Sequence, residues 1–270
     1  MNSLNAPSRD RPRQFITVFA ILGSFVVNAI SNIRPLNGES IGQISNTQFA
    51  NVLITPANYA FAIWGVIYLG LIGFAAYQFL PPRQQHSELK RISYLLVLAC
   101  VAQAAWVYLF LARLFALSVV AMVVILLCLI GIYQALDRGP ARPFGRDRTP
   151  SPQDRWLLRI PFSVYLGWIA VATIVNVALA LYSAGWTGWG LAPEVWTVLL
   201  LIVATGLGIV LLLQRQDIAF GLVLVWALLA IAVKRATIPL IALTAISLSA
   251  ILVGLMIWVR LGSRRLGARS

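Results

Sequence analysis

Apolar residues run along this chain in blocks separated by short polar segments rich in Arg, Pro and Gly. The blocks fall at about 15–33, 57–80, 92–112, 114–136, 160–182, 195–213, 218–233 and 238–260. A hydrocarbon core about 30 Å thick takes roughly 20 helical residues, so each block predicts one membrane-spanning helix. The seventh block, at 16 residues, is the shortest. Helix is the expected form for all eight, because lipid offers a backbone no hydrogen-bond partner. The fold class that follows is an all-α integral membrane protein with about eight transmembrane helices. Its first and permanent partner is the lipid bilayer.

Composition agrees with the pattern. Of 270 residues, 60% are hydrophobic and 11% charged, more apolar surface than a soluble domain could hide. The net charge of +13 is best read through where the cations fall. Alternate polar segments carry Arg9, Arg11 and Arg13, then Arg83, Lys90 and Arg91, then Arg138, Arg142, Arg146, Arg148, Arg155 and Arg159, then Arg215, and finally Arg260, Arg264, Arg265 and Arg269. The intervening segments carry only Arg34, Arg113, Lys234 and Arg235. Seventeen cations against four is a positive-inside bias, which puts both termini in the cytoplasm and suits a bacterial inner (plasma) membrane. A nucleic-acid partner is not expected, because the positive charge is split over five short segments.

The first block is too long for a signal-peptide core, and further spans follow it, so an uncleaved first helix is expected. Cys100 and Cys128 lie inside separate spans and read as packing residues, with no disulfide framework. The polar loop 137–155 divides the spans four and four, without an internal repeat.

The acids bound the chemistry. Asp10, Glu39, Glu88, Asp137, Asp147, Asp154, Glu194 and Asp217 all fall outside the spans or at their ends, and the one histidine, His86, is in a loop. No intramembrane carboxylate offers a proton relay. No His, Cys and acid cluster has metal-ligand spacing, and no nucleophile–base–acid set can be assembled. Binding is therefore expected in place of bond-making, through aromatics, amides and hydroxyls, with no catalytic residue, metal or resident cofactor assigned.

Nine tryptophans are available for this. Trp156, Trp186, Trp189, Trp196 and Trp258 lie near span ends, as an interfacial belt would. Trp64, Trp106, Trp168 and Trp226 lie deeper. At 1.5 Å per residue, Trp64, Trp106 and Trp226 sit roughly 10 Å below the outer ends of their helices, and Asn176 is at a similar depth. Helical spacing puts Trp64 with Tyr68 on one face, Gln103 with Trp106 and Phe110 on another, and Tyr165 with Trp168 and Asn176 on a third. Amides in lipid seek partners, so Gln103 and Asn176 are expected to face the bundle interior. Interhelical glue is one reading of this layer. A ring of aromatic walls around a flat hydrophobic ligand, oriented by the amides or Tyr hydroxyls, is the other.

The same residues carry a family likeness. Thr55-Pro-Ala-Asn-Tyr-Ala-Phe-Ala-Ile-Trp64-Gly-Val-Ile-Tyr68 resembles the first loop and second helix of the TspO/translocator proteins, the tryptophan-rich sensory proteins. Their pattern there is Pro-Pro, aromatics, then Trp-x-x-x-Tyr. Here Thr55 replaces the first proline and Asn58 falls where the family has a loop tryptophan, with Tyr59 beside it. Gln103-Ala-Ala-Trp106-Val-Tyr-Leu-Phe110 is similar to the family's Asn-x-x-Trp-x-x-x-Phe. Tyr165-Leu-Gly-Trp168 and then Asn176 are similar to its Tyr-x-x-Trp…Asn, with Val164 in place of a proline.

The resemblance spans residues 14–183. It implies a five-helix domain over 1–183 whose first loop caps a pocket for porphyrins and other flat apolar ligands. Residues 184–270 then add three helices and a basic tail. The site expected from the layer and the likeness together is Trp64, Tyr68, Gln103, Trp106, Phe110, Tyr165, Trp168 and Asn176, with Trp226, beyond the matching stretch, as a further wall. Pro56, Asn58 and Tyr59 form the lid, and Arg113 is the cation at the outer mouth, two turns above Trp106 on one face. The ligand expected is a tetrapyrrole, with an isoprenoid or sterol-like lipid as second choice, in sensing, sequestration or transfer. A homodimer is compatible with it. The rivals are a small-solute transporter and a structural partner of a larger membrane complex.

Overall fold

A computed structural model describes residues 11–80, 87–138 and 151–267. Arg9, Asp10, Arg83, His86, Arg142, Arg146, Asp147, Arg148 and Arg269 lie outside the described residues, as do the side chains of Arg138, Arg264 and Arg265. The helices are α1 (Arg11–Ile33), α2 (Ile41–Thr47), α3 (Ile63–Tyr77), α4 (Ser87–Leu111), α5 (Phe115–Arg138), α6 (Pro152–Asp154), α7 (Ile160–Ser183), α8 (Pro193–Arg215), α9 (Ile218–Lys234) and α10 (Pro239–Gly267). Among the described residues, seven stretches are long and apolar enough to cross a membrane, with α6 and α7 in one stretch, and the 17-residue α9 is a shorter eighth. The protein is an integral, multi-pass, all-helical membrane protein.

Local chemistry explains where the helices start and stop. The second span begins as a 3-10 turn at Asn58–Ala62, and α3 proper starts at Ile63. Pro56 has no N–H and disfavours helix in the residue before it. The Ala57 N–H is held by the Ala230 carbonyl of α9 at 3.1 Å. Ser151 opens α6 with a capping box: its hydroxyl accepts from the Asp154 N–H at 3.2 Å, and the Asp154 carboxylate accepts from the Ser151 N–H at 3.3 Å. A π-turn at Arg155–Arg159 then leads into α7. Asp217 caps α9 by accepting from the Phe220 N–H at 3.1 Å.

The centre of the bundle is α7, which packs against α3, α5, α8 and α9. On one side α1, α3, α4 and α5 complete a five-helix unit with it. On the other, α8, α9 and α10 form a layer that meets α7 mainly through α9. Small residues allow the close approaches, as is usual between membrane helices. A Cβ at Gly70 would sit 2.7 Å from the Pro161 Cβ of α7, and one at Gly167 would sit 3.1 Å from the Val223 Cβ of α9.

Candidate functional site

Four of the expected wall residues converge. Trp64 of α3, Trp106 and Phe110 of α4, and Trp168 of α7 line one chamber under the first loop, together with Asn176 and Pro56. Ile41 and Ser45 of the loop helix α2 and Phe61 of the 3-10 turn close its roof. The chamber holds about 50 Å³, room for a water molecule or two. The rings brace one another. Trp106 lies 5.5 Å from Phe110, Trp168 meets Phe61 edge-on at 5.8 Å, and Trp64 meets Tyr165 edge-on at 5.9 Å.

One polar seam runs down the wall. The indole N–H of Trp106 donates to Asn176 Oδ1 at 2.8 Å, and Asn176 Nδ2 donates to the Ser118 hydroxyl of α5 at 3.0 Å. Asn176 thus finds the interior partners that an amide in lipid requires. Ser118 was not expected at the site: a lone serine inside an apolar run gives no pattern to read.

The other expected residues lie elsewhere. Tyr68 is buried against α1, where its hydroxyl donates to the Ser24 carbonyl at 3.2 Å and its ring meets Phe25 at 5.1 Å. Gln103 is wholly buried, yet neither its Oε1 nor its Nε2 has a partner among the described residues. Tyr165 is buried behind Trp64 and is not among the chamber's lining residues. Tyr59 turns outward and packs edge-on against Trp226 at 5.3 Å. Trp226 is outside the chamber as well, its indole N–H donating to the Ala60 carbonyl at 3.1 Å. Asn58 accepts from Asn46 Nδ2 at 2.8 Å and so ties the lid to α2.

Arg113 does not continue the Trp106–Phe110 face. Helix α4 stops at Leu111, and Arg113 takes a left-handed conformation (φ 61°) in the turn to α5. Its guanidinium is engaged by Glu39 and Gln48 of the first loop.

Lys234 and Arg235, with Arg113, therefore act on the roof. Lys234 at the end of α9 donates to Asn46 Oδ1 (2.8 Å), Thr55 Oγ1 (3.0 Å) and the Pro56 carbonyl (3.3 Å). Arg235 donates to the carbonyls of Leu53, Val52 and Ala50 at 3.0–3.2 Å, and to Thr55 Oγ1 at 3.1 Å. Burial lowers the Arg235 guanidinium from its ordinary value, but an arginine stays charged. Arg113 from the α4–α5 turn, with Lys234 and Arg235 from the end of α9, thus holds the first loop down over the chamber. In sequence, Lys234 and Arg235 look like ordinary snorkelling residues at a helix end.

A second, larger cleft of about 490 Å³ lies on the opposite face of α7, between it, α8 and the loop residues Asn51–Ile54. Tyr182, Trp186 and Trp196 line it. Trp186, Trp189 and Trp196 form a cluster with ring centres 5.0–5.8 Å apart, and Trp196 donates to the Gly188 carbonyl at 2.7 Å.

A helical membrane bundle with an aromatic chamber roofed by its own first loop is a definite class of protein. The sequence matches the family described as TSPO-like protein over residues 14–258, and the chain belongs to that family. That match runs from α1 into α10 and places the chain among membrane proteins of binding or transport type. No curated protein and no solved structure matches the chain.

Proposed function

We propose that the protein is a membrane receptor or carrier for a flat hydrophobic ligand, a tetrapyrrole in the first instance, held between Trp64, Trp106, Phe110 and Trp168. The observation that carries this reading is their convergence, from three helices, on one roofed chamber with a single polar seam. Stacked aromatics suit a planar ligand. A few fixed polar groups in an apolar wall suit orientation of that ligand.

At about 50 Å³ the chamber is narrow, well short of the ~300–1,000 Å³ typical of ligand sites. A porphyrin enters only when the loop lifts and the rings part. The ligand must then favour the open form by its contacts, and the grip of Lys234, Arg235 and Arg113 on the loop sets the cost of opening. Sensing, sequestration and transfer all use this one binding step, and the cation distribution supports a bacterial inner membrane with both termini inside.

Titration of the purified protein with protoporphyrin, followed by tryptophan fluorescence, tests the proposal. Saturable quenching is expected, and Trp64→Ala should weaken it by roughly tenfold, one stacked aromatic wall and its area being lost. Non-saturable quenching, or the same affinity in a folded Trp64→Ala protein, would remove the chamber from ligand binding.

A further inference from the structure

A groove of about 520 Å³ runs along the lipid-facing side of the bundle between α3, α7 and α9. Its sides are apolar: Val66 of α3, Val164 of α7, and Ala219, Leu222 and Val223 of α9. It extends from Asp217 to Trp226, nine residues of helix or roughly 14 Å. One end is different. There the lining is Arg155, Trp156 and Arg159 of the π-turn and Arg260 of α10, at the end of the bundle opposite the first loop.

Among the described residues, the charges at that end do not cancel. Asp217 is saturated: its Oδ2 accepts from the Tyr133 and Ser163 hydroxyls, each at 2.6 Å, while its Oδ1 caps α9. Asp137 is shared by Arg159 and Arg215. Arg159 still has a buried Nη2 with no acceptor among the described residues. Arg155 and Arg260 are exposed, and no described acid pairs with either. Trp156 stands 65% exposed beside them, as residues at a lipid–water boundary do. The cleft between α7 and α8 is of similar volume but has no charged lining residue.

We propose that the groove is a specific site for an anionic phospholipid, with one acyl chain lying against α9 and its phosphate held by Arg155 and Arg260. Basic pockets between helices recognise such headgroups. Guanidinium groups hold phosphate oxygens in pairs of hydrogen bonds. The site is independent of the aromatic chamber, and either can fail without the other.

The test uses the detergent-purified full chain and native mass spectrometry, with thermal unfolding as a second readout. Dioleoyl phosphatidylglycerol should bind saturably, at one molecule per chain, and raise the unfolding temperature. Dioleoyl phosphatidylcholine should do so at least tenfold less well. Arg155→Gln with Arg260→Gln should abolish that preference while leaving the lipid-free unfolding temperature unchanged, since neither side chain has an ion-pair partner among the described residues. Ala219→Trp, which fills the trough, should remove binding even with both arginines present. Equal binding of the two lipids by the native chain, or an undiminished preference in the double variant, would overturn the site. So would competition by inorganic phosphate as effective as by the whole lipid, which would leave an anion site without the chain.

Discussion

Asn176 and Gln103 are both amides buried inside the bundle, and their situations differ. Asn176 bridges Trp106 and Ser118, whereas Gln103 has no partner for either of its polar atoms among the described residues. Removing one member of a buried hydrogen-bonded set strands the others at about 1–3 kcal/mol. Asn176→Leu should therefore lower the unfolding temperature in detergent by several degrees. Gln103→Met removes an unsatisfied amide and should leave that temperature unchanged or raise it. A large loss from Gln103→Met would show that its amide is satisfied in solution. Helical spacing made Trp106, Phe110, Trp168 and Asn176 legible in the sequence as members of common faces. It did not separate Tyr68 from them. A face on α3 is wide enough to touch both α1 and α7, and Ser24 on α1 takes the Tyr68 hydroxyl.

At the scale of elements, close helix approach and the held loop are the features to test. Gly70→Ala puts a methyl group 2.7 Å from Pro161, and overpacking of that kind costs about 1–3 kcal/mol. Gly65→Ala on the same helix meets nothing within 4 Å and should be neutral or slightly stabilising, because alanine favours helix. Unfolding temperatures of the two variants should separate accordingly. The loop gives a second forecast. A cysteine at the buried Ser45 position should react slowly with a thiol reagent in the otherwise native chain. It should react several-fold faster when Lys234→Met and Arg235→Met release the loop. Equal rates would mean that other contacts close the roof. The spans themselves were legible, since long apolar runs admit only helix in lipid. The roof was not. The left-handed turn at Arg113 ends α4 before its face reaches the outer mouth, and the bonds of Lys234 and Arg235 run to a loop about 180 residues earlier in the chain.

At the scale of the whole molecule, α9 ties the last three helices to the five-helix unit. Helix α9 packs on α7, accepts the Ala57 N–H and supplies Lys234 and Arg235 to the loop. Orientation rests on the 17-to-4 division of cations. Single cysteines at the exposed Thr47 and Thr187 should be labelled from outside intact cells, and one at the exposed Gln153 should not. Labelling of Gln153→Cys from outside would reverse the bundle in the membrane. The central claim is that a flat ligand occupies the chamber and not the larger cleft across α7. Ala172 lines the chamber and Ala178 lines the cleft, both on α7. The most direct measurement is protoporphyrin binding to Ala172→Phe and Ala178→Phe, each checked for its unfolding temperature. Ala172→Phe should abolish saturable quenching, with Ala178→Phe binding as the unsubstituted chain does. Retained binding in a folded Ala172→Phe protein, with loss in Ala178→Phe, would contradict the account and move the ligand to the cleft.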